Sequence, residues 1–171
     1  DFQFKGLIID GCSEDIFIKN SSFTTTSAFT AIELADTRYT RLYNTSIESE
    51  DHADDAIGLR LKTARTTELD QCDILACDNG IDRRQQTGPG EIYYNNVDLI
   101  NQTTIQDCNV GVFLEGAAGI SDIDRNHGRL YMDCAHLIQN DEYAIQGTDI
   151  LLTIDALNNS NCDDINCTDL R

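Results

Sequence analysis

The chain has 171 residues, 40% of them hydrophobic, and sets 30 acidic side chains against 12 basic ones for a net charge of −18. That length supports one domain with a sizeable core, while acid spread along the whole chain argues against nucleic acid, whose phosphates need clustered Lys and Arg. No apolar run approaches the roughly 18–20 residues that span a bilayer, and the opening DFQFKGLIIDG lacks the basic start and cleavage site of a signal peptide. The chain begins without Met and enters a strand-like pattern at once, so residues 1–171 are expected to form a single domain cut from a longer protein.

In chain order, the first element is FIKNSSF (17–23), a short strand running into an Asn-X-Ser corner. AIELA (31–35) follows as an alternating strand, and RLYNTSI (41–47) then repeats the first shape. The acidic loop SEDHADDA leads into a second alternating strand, IGLRL (57–61), and LDQCDI (69–74) and GIDRR (80–84) come next. RRQQTGPGEIYYNN (83–96) contains the only proline and reads as a loop inserted into one turn of a repeat. The pattern resumes with IQDCNV (105–110), VGVFL (110–114), LYMDCA (130–135) and YAIQG (143–147).

One template, an apolar residue, four variable or small polar ones and a second apolar residue, aligns segments 18–23, 42–47, 69–74, 105–110 and 130–135, at spacings of 24, 27, 36 and 25 residues. Period-two alternation over so few residues means short strands with one buried face, and no window carries a 3.6-residue stripe. Short strands recurring about every 25 residues between polar corners describe a solenoid of stacked parallel rungs, about 4.8 Å apart. The fold class is therefore all-β, a single-stranded solenoid of about six rungs.

Stacking turns positions into columns. Asn20 and Asn44 should ladder at one corner. Two registers compete for the cysteines: Cys72 over Cys108 with Cys134 one position off, or Cys77 in place of Cys72. An odd total of seven cysteines rules out a complete disulfide set, so buried thiols are expected, with Cys162 and Cys167 the one local pair spaced for a bond. Glu33, Arg60, Asp82, Phe113 and Gln146 form an outward column, expected to be a solvated ladder of ion pairs.

A Gly or Ala followed by IxL, then a strand ending in NSSF or NTSI, resembles the right-handed parallel β-helix repeat of the pectate-lyase-like superfamily, over about Gly6 to Ile154. The resemblance implies a right-handed coil and a choice of functions: polysaccharide lyases, glycoside hydrolases, epimerases, and viral tailspikes and fibres. DDAIGL resembles the Asp-Asp segment of polygalacturonase-type hydrolases, which makes Asp54 and Asp55 candidate acids, although the family's upstream Asn-Thr-Asp has no counterpart and its Gly-His-Gly is matched only by His127-Gly128. Glu33 and Asp82, two rungs apart in one column, are a second candidate pair at nearly the separation inverting glycosidases use, with Arg60 between them.

Arg60, Tyr93, Tyr94 and Phe113 are candidate carbohydrate contacts, since sugars stack on aromatic rings, and Tyr39 and Tyr43 lie two rungs earlier. No metal site is expected: His52, His127 and His136 fall in different rungs and calcium-loop spacing is absent. Calcium is the one cofactor that Asp122 with Asp124, or Asp163 with Asp164, could help to hold, by analogy with pectate lyases. Sequons stand at Asn20, Asn44, Asn101, Asn158 and Asn166.

Two functions are left in competition. One is a structural or receptor-binding module of a virion tailspike, fibre or surface appendage, extracellular or on the virion, assembled as a homotrimer or with adjoining subunits and meeting cell-surface polysaccharide. The other is a pectinase-type polysaccharide hydrolase or lyase.

Overall fold

The computed structural model describes residues 6–25, 29–50, 54–84, 95–115, 127–148, 151–157 and 165–167. Their strands stack into three parallel sheets. Sheet A holds β1 (Leu7–Asp10), β4 (Thr30–Ala35), β7 (Ile57–Lys62), β10 (Asn79–Arg84), β13 (Val110–Glu115), β16 (Tyr143–Thr148) and β18 (Ile165–Cys167). Sheet B holds β2 (Asp15–Lys19), β5 (Tyr39–Tyr43), β8 (Thr66–Asp70), β11 (Asn95–Ile100), β14 (His127–Asp133) and β17 (Leu151–Leu157). Sheet C holds β3 (Ser22–Thr25), β6 (Ser46–Ser49), β9 (Asp73–Leu75), β12 (Thr104–Gln106) and β15 (His136–Ile138). The chain visits A, B and C in turn and climbs one rung each time, which is a parallel β-helix. Five rungs have all three strands, a sixth has β16 and β17, and β18 opens the next.

The core is a set of aliphatic columns, because in-register stacking puts like residue over like. Ile32, Leu59, Ile81, Val112 and Ile145 form one in sheet A; Ile18, Leu42, Leu69, Leu99 and Met132 form another in sheet B; Ile47, Ile74, Ile105 and Leu137 line sheet C. Each of these side chains is buried. Arg83 interrupts a further inward column between Leu61 and Leu114, and burial pushes its guanidinium down to about 10.

The strands end at corners where the backbone turns left-handed. Asp36 and Thr63 mark the A-to-B corner, Asn20, Asn44, Gln71 and Cys134 the B-to-C corner, and Ala76, Asp107 and Gln139 the C-to-A corner, all with positive φ. Asn tolerates that conformation well. Asn44 Nδ2 also donates to Asn20 Oδ1 at 2.9 Å, which is the ladder expected from the sequence.

The structure corrects two of the five aligned motifs. The column through Ile18, Leu42 and Leu69 continues to Leu99 and Met132, whereas Ile105 belongs to sheet C beside Ile74 and Leu130 to the column of Val97. The fifth motif starts on Leu130, two residues before the Met132 that continues the column; for the fourth the cause is one additional residue after β11, where Asn101 and Gln102 are both left-handed (φ 51° and 70°). The same shift decides the cysteines. Cys77 and Cys108 stack at the C-to-A corner, linked through the Asn109 amide, which donates to the Cys77 carbonyl at 3.1 Å. Cys72 lies between Thr45 and Thr103 at the other corner, donating its backbone N–H to Thr103 Oγ1 at 3.3 Å. Burial pushes the Cys72 thiol up to about 11. Cys12, Cys72, Cys77, Cys108 and Cys134 are free thiols; of the pair spaced for a bond, Cys167 ends β18 and Cys162 lies outside the described residues.

Beside those thiols runs a column of small residues at the entry to sheet A: Ala31, Gly58, Gly80, Gly111 and Ala144. A Cβ on Gly80 would sit 2.6 Å from the Gly111 carbonyl oxygen and 2.6 Å from an Ile105 methyl, with Cys108 Sγ at 3.3 Å. The Gly-or-Ala before each IxL strand is therefore a packing requirement.

Candidate functional site

Sheet B alternates strictly. With Ile18, Leu42, Leu69, Leu99 and Met132 facing in, the residues between them form an outer face of Phe17, Tyr39, Arg41, Tyr43, Glu68, Asp70, Asp98 and Tyr131. Phe17 and Tyr43 are 63% and 38% exposed, uncommon for large rings on a solvated sheet. Phe17 meets Tyr39 edge to face, with centroids 6.3 Å apart and planes at 67°. A cleft of about 220 Å³ between Phe17, Lys19, Arg41 and Tyr43 opens beside them.

One rung further on, charge replaces aromatics. Arg41 pairs with Glu68 at 2.8 Å and with Asp70, which also accepts from Asn101 Nδ2 at 2.9 Å; Tyr39 Oη donates to Glu68 Oε2 at 3.2 Å. The Asp70 hydrogen bond, helped by Glu68, raises the Arg41 guanidinium, and burial followed by Glu68 raises the Tyr39 phenol. Asp98, stacked on Glu68, is different. Its Oδ1 is buried without a hydrogen-bonding partner, and burial raises its carboxyl above the ordinary aspartate value; Arg129 opposes that rise and Glu68 adds to it. Arg129 lies over the Tyr131 ring at 5.0 Å. Exposed rings, a fixed ion-pair network and a carboxyl with a raised pKa thus share one face.

The residues predicted from sequence fall elsewhere. Glu33, Arg60, Asp82, Phe113 and Gln146 do form one column on the outer face of sheet A, in the expected register. They are not a simple solvated ladder: Asp82 is fully buried, and Arg60 bridges it at 3.3 Å to Glu33 at 3.9 Å, with Lys62 also on Glu33 at 2.7 Å. Both carboxylates of that candidate pair are therefore engaged by cations. Asp54 and Asp55 are exposed at the turn before β7, with Asp55 left-handed at φ 63°. Tyr93, Tyr94, Asp122, Asp124, Asp163, Asp164, His52 and Asn158 lie outside the described residues.

Among the described residues no group of three or more His, Cys, Asp and Glu could hold a metal ion, and no helix is long and apolar enough to cross a membrane. Three of the sequons, Asn20, Asn44 and Asn101, share the exposed B-to-C corner. Sequence reasoning missed the sheet B face because it took each motif as one strand and its corner. The signal lay in YTRLY, TTELD and NVDLI, whose alternation already sets Tyr39, Arg41, Glu68 and Asp98 outward.

Compared with protein-family models, with curated proteins and with solved structures, the chain matches none.

Proposed function

We propose that this chain is a structural, polysaccharide-contacting β-helix module of the pectate-lyase-like kind, part of an extracellular appendage such as a virion tailspike or fibre, with the outer face of sheet B as its glycan surface. The observation that carries the reading is the exposed Phe17–Tyr39–Tyr43 cluster beside the Arg41–Glu68–Asp70 network. Rings offer flat apolar surface to sugar C–H faces, and a fixed ion-pair network offers oriented hydrogen-bonding groups to sugar hydroxyls. A homotrimer fits an extended appendage, and light scattering tests it directly. Isothermal titration against a panel of cell-surface polysaccharides should find at least one ligand, and Phe17→Ala with Tyr43→Ala should weaken it by about tenfold or more at unchanged melting temperature. A panel with no ligand, or a double variant that binds like the parent, would overturn the proposal.

One observation favours a second reading, a polysaccharide-cleaving enzyme. Asp98 and Glu68 stand on adjacent rungs of one outward column, which brings two carboxyl-bearing side chains side by side on one face, as the paired acids of a glycosidase must be. Their surroundings differ, as an acid and its partner require: Glu68 is gripped by Arg41 and Tyr39, while Asp98 has a raised pKa. Reducing ends released from the same panel, and lost in Asp98→Asn, would establish this reading over the purely structural one.

A further inference from the structure

We infer that Cys77 and Cys108 form a redox site, a pair of stacked thiols that hydrogen peroxide closes into a disulfide clasping two rungs of the solenoid. The inference goes beyond the glycan reading and does not depend on it. The two residues hold the same corner position on adjacent rungs, because Leu75 pairs with Gln106 on one side of them and Asn79 with Val110 on the other. The Ala76 amide donates to the Gln106 carbonyl at 3.0 Å and the Asn109 amide to the Cys77 carbonyl at 3.1 Å, so the rungs stay joined on both sides of the pair. Adjacent rungs put their Cα atoms about 4.8 Å apart, inside the roughly 4.4–6.8 Å that disulfides span. The side chains match as well: Cys77 Sγ lies 3.4 Å from the Leu75 carbonyl oxygen, and Cys108 Sγ 3.5 Å from that of Gln106. The two thiols hydrogen-bond to each other.

Glycines back the pair. A Cβ on Gly58 would sit 3.3 Å from Cys77 Sγ, and one on Gly80 3.3 Å from Cys108 Sγ. On the next rung the equivalent position is Asn140, whose Nδ2 would lie 2.9 Å from a Cβ on Gly111. Asn140 directs its side chain to the backbone, accepting from the Cys108 amide at 3.1 Å and donating to the Ile105 carbonyl at 3.3 Å. The position can thus be filled by a residue that serves backbone pairing, yet two consecutive rungs place thiols there, in contact. Cys72 is the contrast: it is equally buried, but its neighbours above and below are Thr103 and Thr45.

The two sulfurs are not equivalent. The hydrogen bond from Cys77 lowers the Cys108 thiol, while Cys77, as donor and through burial, is pushed up. Cys108 therefore ionises first, and the thiolate is the nucleophile. It attacks one oxygen of hydrogen peroxide and the O–O bond breaks; hydroxide departs, takes up the thiol's proton as water, and leaves Cys108 as a sulfenic acid. Cys77 Sγ then attacks the Cys108 sulfur, the S–O bond breaks, and the departing hydroxide carries off the Cys77 proton as a second water. The sulfurs lose two electrons in all and peroxide gains them. Cys77 and Cys108 are only 3% and 0% exposed, and peroxide is small enough to reach them through brief local opening of the corner.

The test treats the folded chain with hydrogen peroxide well below its melting temperature, alkylates the remaining thiols in denaturant and analyses tryptic peptides by mass spectrometry. Cys72 and Cys77 share the peptide 66–83 and Cys108 lies in 85–125, so fragmentation locates the link. The two peptides should be joined through Cys77, with Cys72 alkylated. The linked chain should melt roughly 5 °C or more above the reduced one, because the bond constrains the unfolded chain, and dithiothreitol should reverse the shift. Cys77→Ala and Cys108→Ala should each melt alike with and without peroxide, which also controls for oxidation of the exposed Cys134. No link, a link through Cys72, or a linked chain that melts no higher than the reduced one overturns the inference. The cross-link is read on the parent chain, so this outcome can be reached even where a variant does not fold.

Discussion

Asp98 is a carboxyl held where a neutral group would be more comfortable. Burial raises its pKa in the folded chain, and the Glu68 charge adds to the rise. The folded state therefore binds the Asp98 proton more tightly than the unfolded state, so its contribution favours folding at acid pH and is lost as pH climbs through the folded value. Asp98→Asn removes that penalty. Thermal melts should show the variant more stable than the parent at pH 7, with the difference shrinking as pH falls through the Asp98 titration; a pH-independent difference would contradict the assignment. A destabilising group kept on an exposed face fits a functional role better than a packing one.

Other single residues were legible to different depths. Asn20 over Asn44 follows from the repeat alone, because Asn is both a good left-handed residue and a good ladder. The burial of the outward-facing Asp82 does not follow, since alternation gives a residue's direction and says nothing of what else lies across its face.

At the scale of the element, the sheet A strands were readable because each is announced by a small residue and an IxL alternation, and that small residue has a steric cause. Gly80→Ala would press a methyl group onto the Gly111 carbonyl and the Ile105 side chain and should destabilise by about 1–3 kcal/mol in urea denaturation. Gly11→Ala is the control: a Cβ there meets nothing within 4 Å, but φ is +68°, so about 1 kcal/mol is expected from backbone conformation alone. Equal losses at the two sites would show that crowding plays no part. The corners were harder to read than the strands. A single added residue at Asn101-Gln102 is absorbed by a second left-handed step, so that Leu99 and Ile105 no longer fit the template's spacing although the sheet B and sheet C columns stay in register. Pattern matching at fixed spacing cannot see such a step, and the sheet B face was missed for the related reason that two strands were read as one.

The whole molecule is quasi-one-dimensional. Each rung contacts mainly the rungs above and below, so stability is close to a sum of rung and interface contributions. Exchange of amide hydrogens should therefore be graded along the axis: slowest in β7 to β13, whose rungs are covered on both sides, and faster in β1 to β3. Uniform protection across all rungs would indicate one cooperative unit instead. The net charge of −18 acts at this scale too, keeping copies apart through their mutual repulsion.

The left-handed corner columns also bear on how such a chain can change its length. Tyr43 pairs with Asp70, and the corner residues Asn44 and Gln71 follow them. A chain cut after Tyr43 and rejoined at Gln71 would lose one complete coil, bring Asn20 beneath Gln71, and leave the remaining columns aligned. Duplicating the same segment would add a coil by the same rule. Length is thus a quantity that tandem duplication and deletion can adjust in whole steps, with no new fold to invent at the junction.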